Sequence, residues 1–165
     1  MPDYPPPIFT DLEKFLTEYG WHFRKVTTPQ GVDAIIAPLA LSQKGSEAVL
    51  VSFHIEGEFV MVSTLGLFKD VPIQYSPHFL ILNDTSKLVK VYATPTADVQ
   101  KLNIDLAFEL WAETWQQGVF FAFLDMLALG VEKAVTFAAE NQIPHETSFV
   151  QFSSTDNTEE PKSIP

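Results

Sequence analysis

Ten residues in the second half of the chain alternate between large apolar side chains and other side chains. Every second position is taken by a large apolar residue: Leu102, Ile104, Leu106, Phe108 and Leu110. Successive side chains of a β-strand point to opposite faces of its sheet, so the pattern predicts a strand with one buried face. The other face, which carries Asp105 and Glu109, is predicted to be solvated. The fold therefore needs a layer that covers one side of a sheet.

A long helix predicted at about 115–140 can supply that layer. Apolar residues recur along it at spacings of three and four: Phe120, Leu124, Leu127, Val131, Ala134 and Ala138. Apolar residues also occupy much of the remaining circumference, so a second side of the helix should be buried somewhere. Segment 119–131 contains Asp125 and is shorter than the roughly twenty apolar residues of a membrane span. We therefore expect a buried core helix and no membrane association.

The remaining segments predict a strand meander between helices. TDLEKFLTEYG predicts a first helix at about 10–20, with Thr10 and Glu13 as a capping box and Gly20 just past its end. Strands are predicted at 21–27, 32–40, 47–55, 58–65 and 87–93, residues 66–75 as an irregular connection, and a short helix from Ser76-Pro77. The order α-β(meander)-α-β-β-α with hairpin-type connections predicts an α+β fold with an antiparallel sheet.

The chain divides into an arm, one domain and a tail. Residues 1–8 carry four prolines and are expected to form an extended Pro-rich arm. A single α+β domain is expected over 9–142. Residues 143–165 are expected to be a tail, largely disordered beyond 153 because that stretch is polar. Phe149, Val150 and Phe152 are candidates to anchor this tail onto the domain.

The charge balance excludes some classes of partner. A formal net charge of -11 argues against binding to nucleic acid, which requires clustered Lys and Arg. It also argues against anionic membrane surfaces. Acidity supports solubility or steering toward basic protein segments. The chain has no cysteine and its first residues lack the pattern of a signal peptide, so a cytoplasmic location is expected.

No motif for catalysis or for a cofactor is present. The four histidines, His22, His54, His78 and His145, fall in four different predicted elements, without the spacing of metal ligands. Asp105 and Glu109 would lie about 13 Å apart on one strand, which is too far for a carboxylate pair. Neither a nucleophile elbow nor a phosphate-binding glycine loop occurs. We expect no enzyme activity, no metal and no cofactor.

Three segments carry a resemblance to a known fold family. They are TDLEKFLTEYG, the hairpin AVLVSFHIEGEFVMVS, and SPHFLILNDTSKLVKVYATPTADVQKLNIDLAFEL. Their order resembles the type III secretion chaperone-like fold, and in particular its YbjN-like branch, over about 10–140. The resemblance implies a compact acidic protein, often homodimeric, that binds other polypeptides or modulates a pathway. It implies no catalytic residues.

Four aromatic residues are the predicted contacts with a partner or with a second copy: Trp111, Trp115, Phe121 and Phe123. Trp111 falls on the otherwise polar side of its strand, and Trp is favoured at interface centres. Packing of Trp111 under a loop or the C-terminal segment is the equally weighted alternative. Asp125 is expected to face solvent, and otherwise to pair with a basic residue or to mark a polar spot in a ligand cavity.

The expected function is a non-enzymatic protein-binding module, chaperone-like or regulatory, that works as a homodimer. The protein partner is not identified by the sequence. The alternative is a carrier of a small apolar ligand, with a cavity between the sheet and the C-terminal helix.

Overall fold

A computed structural model describes residues 7–42 and 45–151 and contains an eight-stranded sheet with three α-helices. The helices are α1 (Phe9–Tyr19), α2 (Ser76–Thr85) and α3 (Gln117–Glu140). The strands are β1 (Arg24–Thr27), β2 (Asp33–Ala40), β3 (Glu47–Glu56), β4 (Phe59–Leu65), β5 (Phe68–Pro72), β6 (Lys90–Pro95), β7 (Lys101–Trp111) and β8 (Val150–Gln151). Short 3-10 turns precede α2 and α3.

All strand pairs are antiparallel, and β7 organises the sheet. The order β1-β2-β3-β4-β7 follows the chain until β4, whose residues 59–63 pair with residues 107–111 of β7. β5 continues along the same edge of β7, and β6 pairs with the other edge. The α+β class with an antiparallel sheet, predicted from the sequence, is thereby confirmed.

The helices lie on one side of the sheet, which we call the covered face. Phe15 of α1 and Phe120 of α3 contact each other, and Phe120 reaches Phe53 of β3. In α2, Phe79 contacts Phe68 of β5. The core consists of fully buried residues between these layers, among them Leu12, Leu16, Val51, Leu106, Leu124 and Leu127. None of the helices in the described part of the chain lies on the opposite side of the sheet, which we call the open face.

Helix α1 begins earlier than its sequence pattern predicts and ends at the predicted glycine. The capping box is wrong: α1 begins at Phe9, so Thr10 lies inside its first turn, and no side chain caps that end. Phe9 packs against the core, which favours the earlier start. Gly20 ends the helix as predicted, with φ 83° and its amide bonded to carbonyls of the last turn.

The prediction of an irregular connection at 66–75 is wrong, because this segment contains β5. The chain bends at Gly66, where φ is 70°, and then pairs with β7 through a register shift between Phe68 and Val71. The bulge interrupts the alternation, so the segment has no clear period of two.

The sheet includes chain beyond residue 142, the end expected for the domain. Ile143 is buried, Lys69 and Glu146 form a bridge, and the Ser148 amide donates to the Gly66 carbonyl. β8 then pairs with the beginning of β3. The segment 146–151 thus fills the gap between β3 and β5 that the bend opens. Phe152 and the rest of the expected tail lie outside the described residues, as does most of the Pro-rich arm.

The predicted long helix is present as α3, with one side buried against the sheet. Its buried residues include Phe120, Leu124, Leu127, Val131 and Ala138. Across residues 7–42 and 45–151, no helix has the length and apolar content of a membrane span.

Candidate interaction face

The open face follows from alternation and register, because cross-strand partners share a face. Leu50 of β3 lies opposite both Pro38 of β2 and Leu65 of β4. Phe59 of β4 lies opposite Trp111 of β7. These side chains alternate with the buried ones on the same strands, and they carry apolar surface that no helix covers.

The largest exposed aromatic surface lies at the hairpin end of this face. Phe59 is 43% exposed and Trp111 is 38% exposed. Half-buried Met61 is the next residue of β4 on the same face. Trp111 donates its indole N–H to Glu58 Oε2 at 3.1 Å, which orients the ring. We call Phe59, Met61 and Trp111 the Trp111 cluster.

The other three predicted contact residues lie apart from the Trp111 cluster, on the helical side. Trp115 stacks on Phe15 of α1 at 4.9 Å between ring centroids. Phe121 contacts Tyr19 at 5.1 Å, and Phe123 contacts Phe108 of β7 at 5.1 Å. Helix α1 therefore covers Phe121 on the second apolar side of α3, whereas Leu129 farther along α3 is 49% exposed.

Asp125 is bonded within the chain. It is exposed and accepts a hydrogen bond of 2.6 Å from the Tyr19 hydroxyl. Burial, and then this hydrogen bond to a carboxylate, raise the pKa of Tyr19. The pair fixes α1 to α3.

A shallow apolar groove of about 360 Å³ lies on the open face near β1. The residues that line it are His22, Phe23, Arg24, Ile36, Pro38, Leu50, Val150 and Gln151. β1 pairs with β2 only as far as Ile36. Beyond that point no described strand pairs with this edge of β2, and the Trp21 side chain donates its indole N–H to the Pro38 carbonyl at 2.6 Å. Arg24 is the only arginine of the chain.

Asp105 is the residue whose environment was predicted wrongly. Instead of lying on a solvated face, it is only 8% exposed. One carboxylate oxygen accepts from the Thr64 hydroxyl at 2.7 Å and from the Leu67 amide at 2.9 Å. Burial raises the pKa of Asp105, while these hydrogen bonds oppose that shift.

The position of Asp105 gives it a structural role. β4 leaves β7 at the Gly66 bend, which frees the amide of Leu67 from the strand ladder. Thr64 replaces another missing ladder bond by accepting from the Leu106 amide at 3.0 Å. Buried backbone groups need such partners. The alternation pattern could not reveal this, since it contains no information about where β4 bends.

The edge strand β6 is capped by a side chain at one position. The Asn83 side chain accepts from the Val91 amide at 2.6 Å and donates to the Val91 carbonyl at 3.1 Å. It thus occupies the backbone groups of Val91 that another strand would use.

The cleft between the sheet and α3 is small. Among the described residues, no three His, Asp or Glu side chains gather as metal ligands. A cleft between Leu39 of the sheet and Leu124 of α3 has a volume of about 160 Å³. Small-molecule sites usually measure roughly 300–1,000 Å³.

These features define a two-layer α+β protein with one open sheet face. Among solved structures, the chain is similar to YbjN of E. coli, which has been proposed as a transcription regulator. The two share 14% sequence identity with a TM-score of 0.64, and the match covers 86% of this chain and 97% of YbjN. The chain thus has a YbjN-like fold, as its resemblance predicted. No protein-family model matches the sequence, and no curated protein does.

Proposed function

We propose that this chain is a non-enzymatic protein-binding module, regulatory or chaperone-like, that works as a homodimer. The observation that carries the proposal is the Trp111 cluster on a sheet face without a helical layer. Trp, Phe and Met are enriched at protein interfaces, and Trp is a frequent energetic hot spot. The Trp111 cluster is the proposed contact with a second polypeptide, and a second copy of the chain and a client protein would compete for it.

Other exposed apolar residues support this choice by contrast. Leu80 and Ile81 on α2 are 67% and 58% exposed. They are aliphatic residues on a short helix, and single exposed aliphatic residues are normal on protein surfaces. Leu80 therefore provides a matched control position on the covered side of the molecule.

A regulatory role would act through protein contacts rather than through DNA. YbjN has been proposed as a transcription regulator. The net charge of -11 in this chain disfavours phosphate contacts. A regulator of this charge would more readily bind a basic segment of another protein. The resemblance to secretion chaperones supports the same mode of action, in which an apolar surface holds part of another polypeptide.

The proposal is tested with a permanently unfolded probe, reduced and carboxymethylated α-lactalbumin. We expect the wild-type chain to bind the probe and the double variant Phe59→Ser/Trp111→Ser to lose most of that binding. Leu80→Ser should bind like the wild type, because Leu80 lies on α2. Binding is followed by fluorescence anisotropy of the labelled probe. Circular dichroism checks that each variant is folded.

Three results would count against the proposal. If the folded double variant bound the probe as well as the wild type did, the Trp111 cluster would not be the contact surface. If even the wild type failed to bind, the chaperone-like form of the proposal would be wrong. Loss of binding in Leu80→Ser alone would move the contact to α2.

A further inference from the structure

The groove beside β1 has a wall made by the end of the described chain. Val150 and Gln151 border it, and Val150 pairs with Ala48 of β3. Fourteen more residues follow, 152–165, which we call the terminal segment. The described part of the chain therefore ends beside an apolar groove.

If the strand continued past Gln151, alternation would put the first residue of the terminal segment on the side of the sheet that carries Val150. Val150 contributes to the groove, so an extended chain would present residue 152 to the same face of the sheet. That residue is Phe152. A groove of about 360 Å³ with a floor of Ile36, Pro38 and Leu50 has room for one aromatic ring.

The charges of the groove and of the terminal segment are complementary. The segment contains Asp156, Glu159 and Glu160 against a single Lys162. Arg24, at the groove, forms no ion pair with any described residue, whereas its neighbour Lys25 is paired with Glu13 at 2.9 Å. An unpaired guanidinium beside an apolar groove fits an aromatic residue followed by carboxylates.

We propose that the terminal segment docks in this groove of its own chain, with Phe152 on the apolar floor and its carboxylates facing Arg24. Tethering favours this occupant, because a short linker keeps the segment at a high effective concentration. A partner carrying an aromatic residue followed by acidic residues would have to displace it. The inference goes beyond the proposed function, since docking within one chain requires no partner.

The test uses paramagnetic broadening in the full-length chain. The chain has no cysteine, so Thr155→Cys gives one site for a nitroxide label. We expect the label to remove or strongly weaken the amide signals of Arg24, Ile36 and Leu50. The amide signals of α2, on the covered side of the sheet, should keep their intensity. Unbroadened groove signals would overturn the proposal.

Two further variants separate docking from proximity. Adding Phe152→Ser should restore the groove signals, because the aromatic anchor is gone. Arg24→Glu should restore them in part, while Lys14→Glu, an exposed cation on α1, should leave the broadening unchanged. Broadening that survived both Phe152→Ser and Arg24→Glu would reflect proximity of the attachment point alone, and the proposal would be wrong.

A mixed sample tests whether the segment docks within its own chain. Isotope-labelled chain without nitroxide is mixed with nitroxide-labelled chain that carries no isotope. Docking in cis predicts unbroadened groove signals in this mixture. Broadening in the mixture would show that the segment reaches the groove of another copy, which would contradict the proposal. Because this experiment includes no client probe, its result is independent of binding by the Trp111 cluster.

Discussion

The two faces of the same strands differ in how completely the chain covers them. On β3, Val51 and Phe53 are fully buried under the helices, whereas Ser52 and His54, which alternate with them, are partly exposed. On β4, Val60 is fully buried while Phe59 remains 43% exposed. One face is thus a closed core, and the other is a mixed surface that keeps large apolar side chains in contact with water.

We expect the covered face to determine stability and the open face to determine binding. Burial of apolar surface is the main favourable term in folding, so the covered face should supply most of the stability. Aromatic side chains on the open face contribute less to folding because they keep much of their exposed area. We propose that contacts with another polypeptide account for their presence on a surface. Substitutions on the covered face should therefore mainly lower stability, whereas substitutions on the open face should mainly weaken binding.

The largest expected effect is on the covered face. Phe120 is fully buried and contacts Phe15, Phe53 and Phe108. Phe120→Ala should lower the free energy of unfolding by about 3–5 kcal/mol. The same change at exposed Phe59 should cost well under half as much. Urea unfolding followed by circular dichroism measures both, and equal losses would contradict the division between the faces.

The next largest effect is expected at Asp105, which binds the chain beside the Gly66 bend. Asp105→Ala removes the acceptor of the Leu67 amide and should cost about 1–3 kcal/mol, the penalty for a buried donor without a partner. Glu109→Ala on the same strand is the control. Its carboxylate is exposed and only 3.8 Å from Lys90, so its loss should cost about 0–1 kcal/mol. Chemical denaturation of the two variants would refute the assignment if Glu109→Ala cost more.

A smaller effect is expected at the bond between α1 and α3. Tyr19→Phe removes the hydroxyl that donates to Asp125 and should lower the unfolding free energy by about 0.5–1.5 kcal/mol. Asp125→Asn keeps an acceptor and should cost less. Thermal unfolding of both variants provides the comparison. No loss in Tyr19→Phe would mean that aromatic packing alone fixes α1 on α3.

The smallest effect is a pH dependence at Asp105. Burial raises its pKa above the ordinary value of 3.8, so the unfolded chain releases this proton at lower pH than the folded chain does. The stability contributed by the protonated carboxyl is fully present below 3.8 and is lost as the pH rises through the folded pKa. The stability of the wild type relative to Asp105→Asn should therefore fall with rising pH and then level off. A relative stability that rose over that range would contradict the direction.

Much of the fold could be predicted because its signals are local. The alternation from Leu102 to Leu110 placed the buried face of β7 correctly, and the spacing from Phe120 to Ala138 did the same for α3. The turn at Gly57, where φ is 58°, and the helix end at Gly20 follow from backbone conformations that glycine favours. These patterns depend on neighbouring residues only.

What could not be predicted depends on contacts between distant segments. The pairing of β8 with β3 joins residues about a hundred positions apart, and no local pattern indicates it. The packing of α1 over Trp115 and Phe121 likewise depends on where two helices meet. Of the four predicted contact residues, Trp111 alone lies on the open face. Strand alternation predicted its side of the sheet, whereas no local pattern shows which element packs against Trp115, Phe121 or Phe123.

The central claim is that the Trp111 cluster contacts a second polypeptide in the working form of the protein. The most direct measurement is the solution mass, by light scattering on a sizing column across a concentration series. We predict a dimer for the wild type and for Leu80→Ser, and a monomer for Phe59→Ser/Trp111→Ser. A wild-type monomer at every concentration would contradict the homodimer, and a double variant that stayed dimeric would place the dimer contact elsewhere on the molecule.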